Sequence, residues 1–245
     1  MNIIETIKNE IEKGKNEKNI MGQTHFFKEP IKTNGWTNPQ IHILANKYFD
    51  KKWSKKEVFD LCEELWKTGY MEQTTIAIDW CEKMDTKYEK SDFKLFEKWV
   101  KTYISNWAMC DGFCTHPVAD LLMQFPDLIS EVKKWTKSDN RWVKRASAVS
   151  FIFPAKYGMF KKDIFEIAEI LLEDKDEMVQ KGYGWMLKSL STCSYNYKTK
   201  VYDNNDCMKE VFDFVVARKT RMPRTAYRYA VEKFLPEMRK KAMEK

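Results

Sequence analysis

The chain has 245 residues, enough for a sizeable buried core, but only 8 glycines and 7 prolines, which argues against a many-stranded β fold. No apolar run reaches membrane-spanning length, and the polar-apolar N-terminus reads as a helix, so neither a membrane partner nor a signal peptide is expected. A net charge of +7 suits an anionic partner, and the 6 cysteines (62, 81, 110, 114, 193, 207) show no disulfide rhythm, so a reduced, cytoplasmic protein is expected.

Amphipathic helices follow one another along the chain. Asn2 to Lys13 is the first, stopped by Gly14 and followed by a looser polar stretch to Thr37. Asn38 and Pro39 read as cap and first turn of a helix through Ile41, Leu44, Ala45 and Tyr48. Ser54 and Glu57 form a capping box for a helix through Val58, Leu61, Leu65 and Trp66, which Gly69 stops. Met71 to Met84 and Asp92 to Tyr103 continue the series, the latter with an apolar stripe of Phe93, Phe96, Trp99 and Val100. Trp107 to Phe113, Pro117 to Met123, Pro126 to Trp135 and Arg141 to Phe153 come next. Phe160 to Leu172, Met178 to Leu190, Asp206 to Arg218 and Pro223 to Phe234 complete it. This rhythm predicts an all-α fold, a HEAT-like solenoid of antiparallel helix pairs over residues 1–245 as a single domain, with an irregular bundle as the alternative.

Three segments carry candidate chemistry. In Ser105–Asp111, Trp107 and Asp111 fall at i and i+4 on one helix face. A carboxylate beside a large ring suits a reaction that develops positive charge on a sugar; a core tryptophan with a backbone-bonded aspartate is the plain alternative. In Ser138–Ala146, Asn140 caps a helix on which Arg141 and Arg145 lie one turn apart, beside Lys144, able to meet one strand of phosphates or simply to form a solvated face. In Val179–Lys188, Gly182 and Gly184 interrupt a helical pattern beside Lys181 and Trp185, marking either close helix packing or close ligand approach. All the arginines (141, 145, 218, 221, 224, 228, 239) lie in the later part of the chain, which places the expected phosphate contacts there.

Together these segments resemble the AlkD-like DNA alkylation repair family. The resemblance is carried by Trp107-x-x-x-Asp111, by Ser138-Asp139-Asn140-x-Trp142-x-x-Arg145 and by Lys181-x-x-Gly184-Trp185-x-Leu187, in family order. Weaker likeness runs from Glu64-Leu65-Trp66 to Arg224-Thr225-Ala226-Tyr227-Arg228-Tyr229-Ala230. The resemblance implies a DNA glycosylase that excises N3- or N7-alkylated purines without deep base flipping, on a concave basic face. It implies that Asp111 supports hydrolysis, that Trp107 and Trp185 cradle the deoxyribose, and that Arg145, Arg141, Lys144 and Lys181 contact DNA. Lys188 and Ser189 stand where members of the family often have Arg-Glu.

No cofactor or metal is expected, because Cys110, Cys114 and His116 lack a fourth ligand at zinc spacing. The expected partner is double-stranded DNA, bound by a monomer. The alternatives are a non-catalytic binder of damaged or branched DNA on the same scaffold and a protein–protein scaffold.

Overall fold

The computed structural model describes residues 2–196, 199, 201–202, 204 and 206–244. Two compact units, Met1–Phe113 and Cys114–Lys245, are built almost wholly of α-helices, as the helical periodicity predicts. Among the described residues no helix is long and apolar enough to cross a membrane.

The first unit holds α1 (Ile3–Lys13), α2 (Glu17–Phe26), α3 (Asn38–Tyr48), α4 (Lys55–Thr68), α5 (Met71–Glu82), α6 (Phe93–Thr102) and α7 (Trp107–Phe113). The Ser54–Glu57 capping box forms as read: Ser54 Oγ accepts from the Glu57 amide, and Glu57 accepts from that of Ser54. The α3 cap moves back by one residue. Thr37 is the cap and Asn38 the first helical residue, because Gln40 accepts from the Thr37 amide at 2.9 Å. Helix α5 packs against α3, α4 and α7 and buries Ile76, Ala77, Trp80 and Cys81; the Trp80 indole donates to the Ala45 carbonyl at 2.8 Å. Trp66, Phe96, Trp99 and Phe113 meet edge-on, tilted and, for Phe96 on Trp99, stacked in the core, at centroid distances of 5.2–6.3 Å.

Helix α2 lies where a loose polar stretch was expected. It buries no side chain, so no apolar stripe announces it, and Asn16 caps it by accepting from the Asn19 amide at 3.0 Å. Polar tethers hold it instead: Asn19 Nδ2 donates to the Gly35 carbonyl at 2.9 Å and Gln23 Nε2 to that of Trp36 at 3.0 Å.

The second unit opens with a π-helical turn, Cys114–Val118, that absorbs Pro117. It continues through α8 (Ala119–Gln124), α9 (Ile129–Lys134), α10 (Arg141–Val149), α11 (Ile152–Lys156), α12 (Lys161–Ile170) and α13 (Glu177–Ser191). A hairpin of β1 (Tyr195–Asn196) and β2 (Val201–Tyr202) precedes α14 (Asp206–Ala217), α15 (Arg224–Ala230) and α16 (Pro236–Met243). Helix α13 is the axis of this unit and is packed by α10, α11, α12, α14 and α15. Its crossing with α15 depends on Gly184, where a Cβ would stand 2.8 Å from the Ala226 carbonyl oxygen and 2.8 Å from Tyr229 Cβ. In each unit the helices of a central row pack side by side: α3, α5 and α7 in the first, α10, α13 and α15 in the second. All three sequence motifs fall on helices of these rows.

The expectation of six reduced cysteines is corrected. Cys62, Cys81, Cys110 and Cys114 are buried and outside any disulfide, but Cys193 and Cys207 are bridged across a sequence separation of 14. Spacing concealed this bridge because tertiary folding brings its ends together, not a repeat in the chain.

Two stability outcomes follow from this packing. Closing a loop with 14 residues of separation stabilises by about 3 kcal/mol through the unfolded chain, so Cys193→Ser should lose about that much in urea unfolding. Reductant should then leave the variant unchanged while bringing the wild type down to its level. Gly184→Ala must push two helix backbones apart and should cost about 1–3 kcal/mol in the same assay. Wild-type stability for Gly184→Ala would mean that the crossing relaxes freely.

Candidate functional site

Helix α7 begins at Asn106, whose buried side chain accepts from the Met109 amide at 3.0 Å and donates to Met71 Sδ at 3.4 Å. Met109, Cys110 and Phe113 turn into the core, and Gly112 lets the helix lie close to Ile78. That orientation leaves Trp107 and Asp111 on the other face, one turn apart and both half-buried. Half-burial suits a reactive carboxylate: the group still meets a substrate, while nearby apolar atoms lower the local dielectric and strengthen its field.

Two aromatic residues that the sequence reading passed over complete this corner. Phe27 stacks on Trp107 with centroids 5.0 Å apart and planes at 12°, and Phe26 meets both rings edge-on at 5.8 Å. One face of the indole is therefore occupied by protein, and Phe26 is 71% exposed beside it. Two adjacent aromatics in an otherwise polar stretch were the available signal.

A buried carboxylate sets their position. Glu72 is fully buried on α5, and its Oε1 accepts from Thr33 Oγ1 at 2.8 Å, the Asn34 amide at 2.8 Å and the Trp36 amide at 3.2 Å. The loop so gathered is the one to which Asn19 and Gln23 tether α2, and α2 ends at Phe26 and Phe27.

In the second unit, Asn140 caps α10 by accepting from the Trp142 amide at 2.9 Å, as read, and Trp142 and Ala146 face the core. Arg141 does not stand free. It pairs with Asp176 at 2.8 Å, the same carboxylate that caps α13 by accepting from the Met178 amide at 2.8 Å. Lys144 pairs with Asp174 at 2.6 Å and Lys181 with Glu177 at 2.7 Å. Arg145 is only 5% exposed; its guanidinium donates to the Met178 carbonyl, and its stem packs on Gly182, where a Cβ would stand 3.3 Å from Cγ. Trp185 is half-buried on α13. Both glycines of the third motif thus serve packing, Gly182 against Arg145 and Gly184 against α15.

Cys110 and Cys114 are buried and His116 is exposed. Among the described residues no group of three or more His, Cys, Asp or Glu side chains is arranged to hold a metal ion.

Residues 7–234 match a family described as DNA alkylation repair enzyme. Among solved structures, a protein described as "Predicted DNA alkylation repair enzyme from Enterococcus faecalis" superposes with a TM-score of 0.76 at 14% identity, over 91% of this chain and 97% of that one. At that identity the structural likeness speaks for the fold. No curated protein matches the sequence.

The Glu72 nest generates its own test. Glu72→Ala strands buried donors of the Thr33–Trp36 loop, each costing about 1–3 kcal/mol, so stability should fall by several kcal/mol. Amide exchange should quicken across Glu17–Phe26 before the rest of the unit opens. Unchanged exchange in α2 would show that the loop holds without the carboxylate.

Proposed function

The chain belongs to the DNA alkylation repair enzyme family, and on that premise we propose that it excises N3- and N7-alkylated purines from duplex DNA by hydrolysing the N-glycosidic bond. The observation that carries this reading is the Trp107–Asp111 pair: a half-buried carboxylate one helical turn from an indole that Phe27 already backs on one face.

The chemistry suits so small a set of groups. A purine alkylated at N3 or N7 carries a positive charge and leaves readily, so no strong general acid is needed. As the bond to C1′ breaks, the base departs with the bonding pair and becomes neutral, and positive charge builds on the sugar. The Asp111 carboxylate stabilises that oxocarbenium-like charge and directs water to C1′; the water's proton passes through the carboxylate to solvent. Trp107, braced by Phe27, packs on the deoxyribose and limits access of bulk water; in the second unit, Trp185 is assigned an indole contact with the DNA.

Lys144, Lys181 and Arg141 are assigned to phosphates of the DNA backbone. The Arg141 pair supports an exchange of carboxylate for phosphate: the Arg141 side chain is 39% exposed, and exposed ion pairs are worth only about 0–1 kcal/mol. Arg145 is assigned mainly as a brace between α10 and α13 whose fixed charge adds to the positive field, because its guanidinium already serves the Met178 carbonyl.

Asp111→Asn keeps size and helix geometry and deletes the charge. Single-turnover release of 7-methylguanine from duplex DNA should slow by about 10²–10³. DNA affinity should hold or rise slightly, since a carboxylate repels phosphates. Trp107→Ala and Trp185→Ala should slow release with some loss of binding. Undiminished release by folded Asp111→Asn would remove Asp111 from the mechanism. A wild-type protein that binds but releases no alkylated purine would be a non-catalytic binder of damaged DNA.

A further inference from the structure

Four of the seven arginines are engaged within the protein. Arg141 is held by Asp176 and Arg145 by the Met178 carbonyl, while Arg218 and Arg221 share Glu169, with Arg221 also reaching Glu173 at 2.7 Å. The other three, Arg224, Arg228 and Arg239, are all exposed, and among the described residues none has a carboxylate at ion-pair distance.

These three are not scattered. Together with Thr225, Tyr229 and Glu232 they line one cavity of about 520 Å³. Arg224 and Arg228 stand one turn apart on α15, and Arg239 comes from α16. Among the described residues the one acid in the lining is Glu232, already answered by Lys188 of α13 at 3.0 Å, and the Lys188 ammonium lies 5.2 Å from the centre of the Tyr229 ring. Three guanidinium groups facing one concavity with no carboxylate at ion-pair distance repel one another, whereas the other arginines are matched by acids or, for Arg145, by a backbone carbonyl. The arrangement is relieved by an external anion.

We propose that Arg224, Arg228 and Arg239 form a phosphate-binding subsite that grips the DNA backbone; this rests on the duplex-DNA reading above. Guanidinium forks match phosphodiester oxygens in charge and geometry, and the Thr225 and Tyr229 hydroxyls add neutral donors at the wall. The subsite adjoins Trp185 through one packed element. Helix α15 crosses α13 at Gly184, directly before Trp185, and Lys188 lies one turn further along α13. Backbone leading away from Trp185 therefore passes over α15. These arginines also need no partner displaced before they bind, unlike Arg141, Lys144 and Lys181.

The test compares the full chain with an Arg228→Gln/Arg239→Gln variant, using a labelled duplex carrying 7-methylguanine and anisotropy titrations across a range of chloride concentrations. Both side chains are exposed and unpaired, so the melting temperature should not change. Two lost phosphate contacts should flatten the log–log salt dependence by about two units. Affinity should weaken by roughly tenfold per arginine at low salt. Replacing chloride by inorganic phosphate at equal ionic strength should preserve the difference between the two proteins. Its disappearance would reassign the cavity to a free phosphate ion and overturn the proposal. A variant that binds with wild-type affinity and slope overturns the subsite and leaves the duplex-DNA reading standing. A wild-type protein that binds no duplex overturns that reading, and the subsite with it.

Discussion

A carboxylate buried in a helical core is costly unless donors surround it, and Glu72 has gathered three. The consequence reaches beyond its own bonds. The loop it organises supplies the carbonyls that hold α2, a helix that buries no side chain. At the end of α2, Phe27 lies flat against Trp107. The setting of the proposed catalytic tryptophan thus depends on a polar interaction on α5, relayed through a loop and a solvated helix. Such a relay is conformationally specific, because hydrogen bonds fix direction and distance, whereas apolar packing tolerates sliding.

The second unit is organised by steric approach. Helix α13 accepts neighbours around most of its circumference because it lacks side chains at the two points of closest contact, Gly182 and Gly184. Where α13 goes, the cations go with it. Its N-cap Asp176 captures Arg141, its first-turn carbonyl at Met178 captures Arg145, and its later turn carries Lys181, Trp185 and Lys188.

The arginines of this unit therefore fall into two electrostatic classes. One is engaged with acids of neighbouring helices or, for Arg145, with a backbone carbonyl, and an incoming polyanion would have to recruit those charges from existing partners. The other, Arg224, Arg228 and Arg239, has no carboxylate at ion-pair distance among the described residues and clusters on α15 and α16. A net charge of +7 does not distinguish these classes, since it counts Arg145 and Arg228 alike. Binding depends on which cations still lack a counter-ion after folding.

The sequence by itself determined the helical class, most helix boundaries and the three motif helices, because those rest on local periodicity and on caps such as Ser54, Asn140 and Gly69. It also determined that Trp107 and Asp111 share a face, since 3.6 residues per turn places i and i+4 together whatever the surroundings. Only the tertiary structure decided what depends on residues distant along the chain. The docking of α2 and the stacking of Phe27 on Trp107 rest on polar tethers that leave no periodic trace. The Cys193–Cys207 bridge needs the chain to return on itself. Arg145 and Arg228 are indistinguishable as letters in basic helices, yet one lies against Gly182 in the core and the other faces an open cavity. A side chain's charge is a local property, while its exposure and its partners belong to the packed molecule.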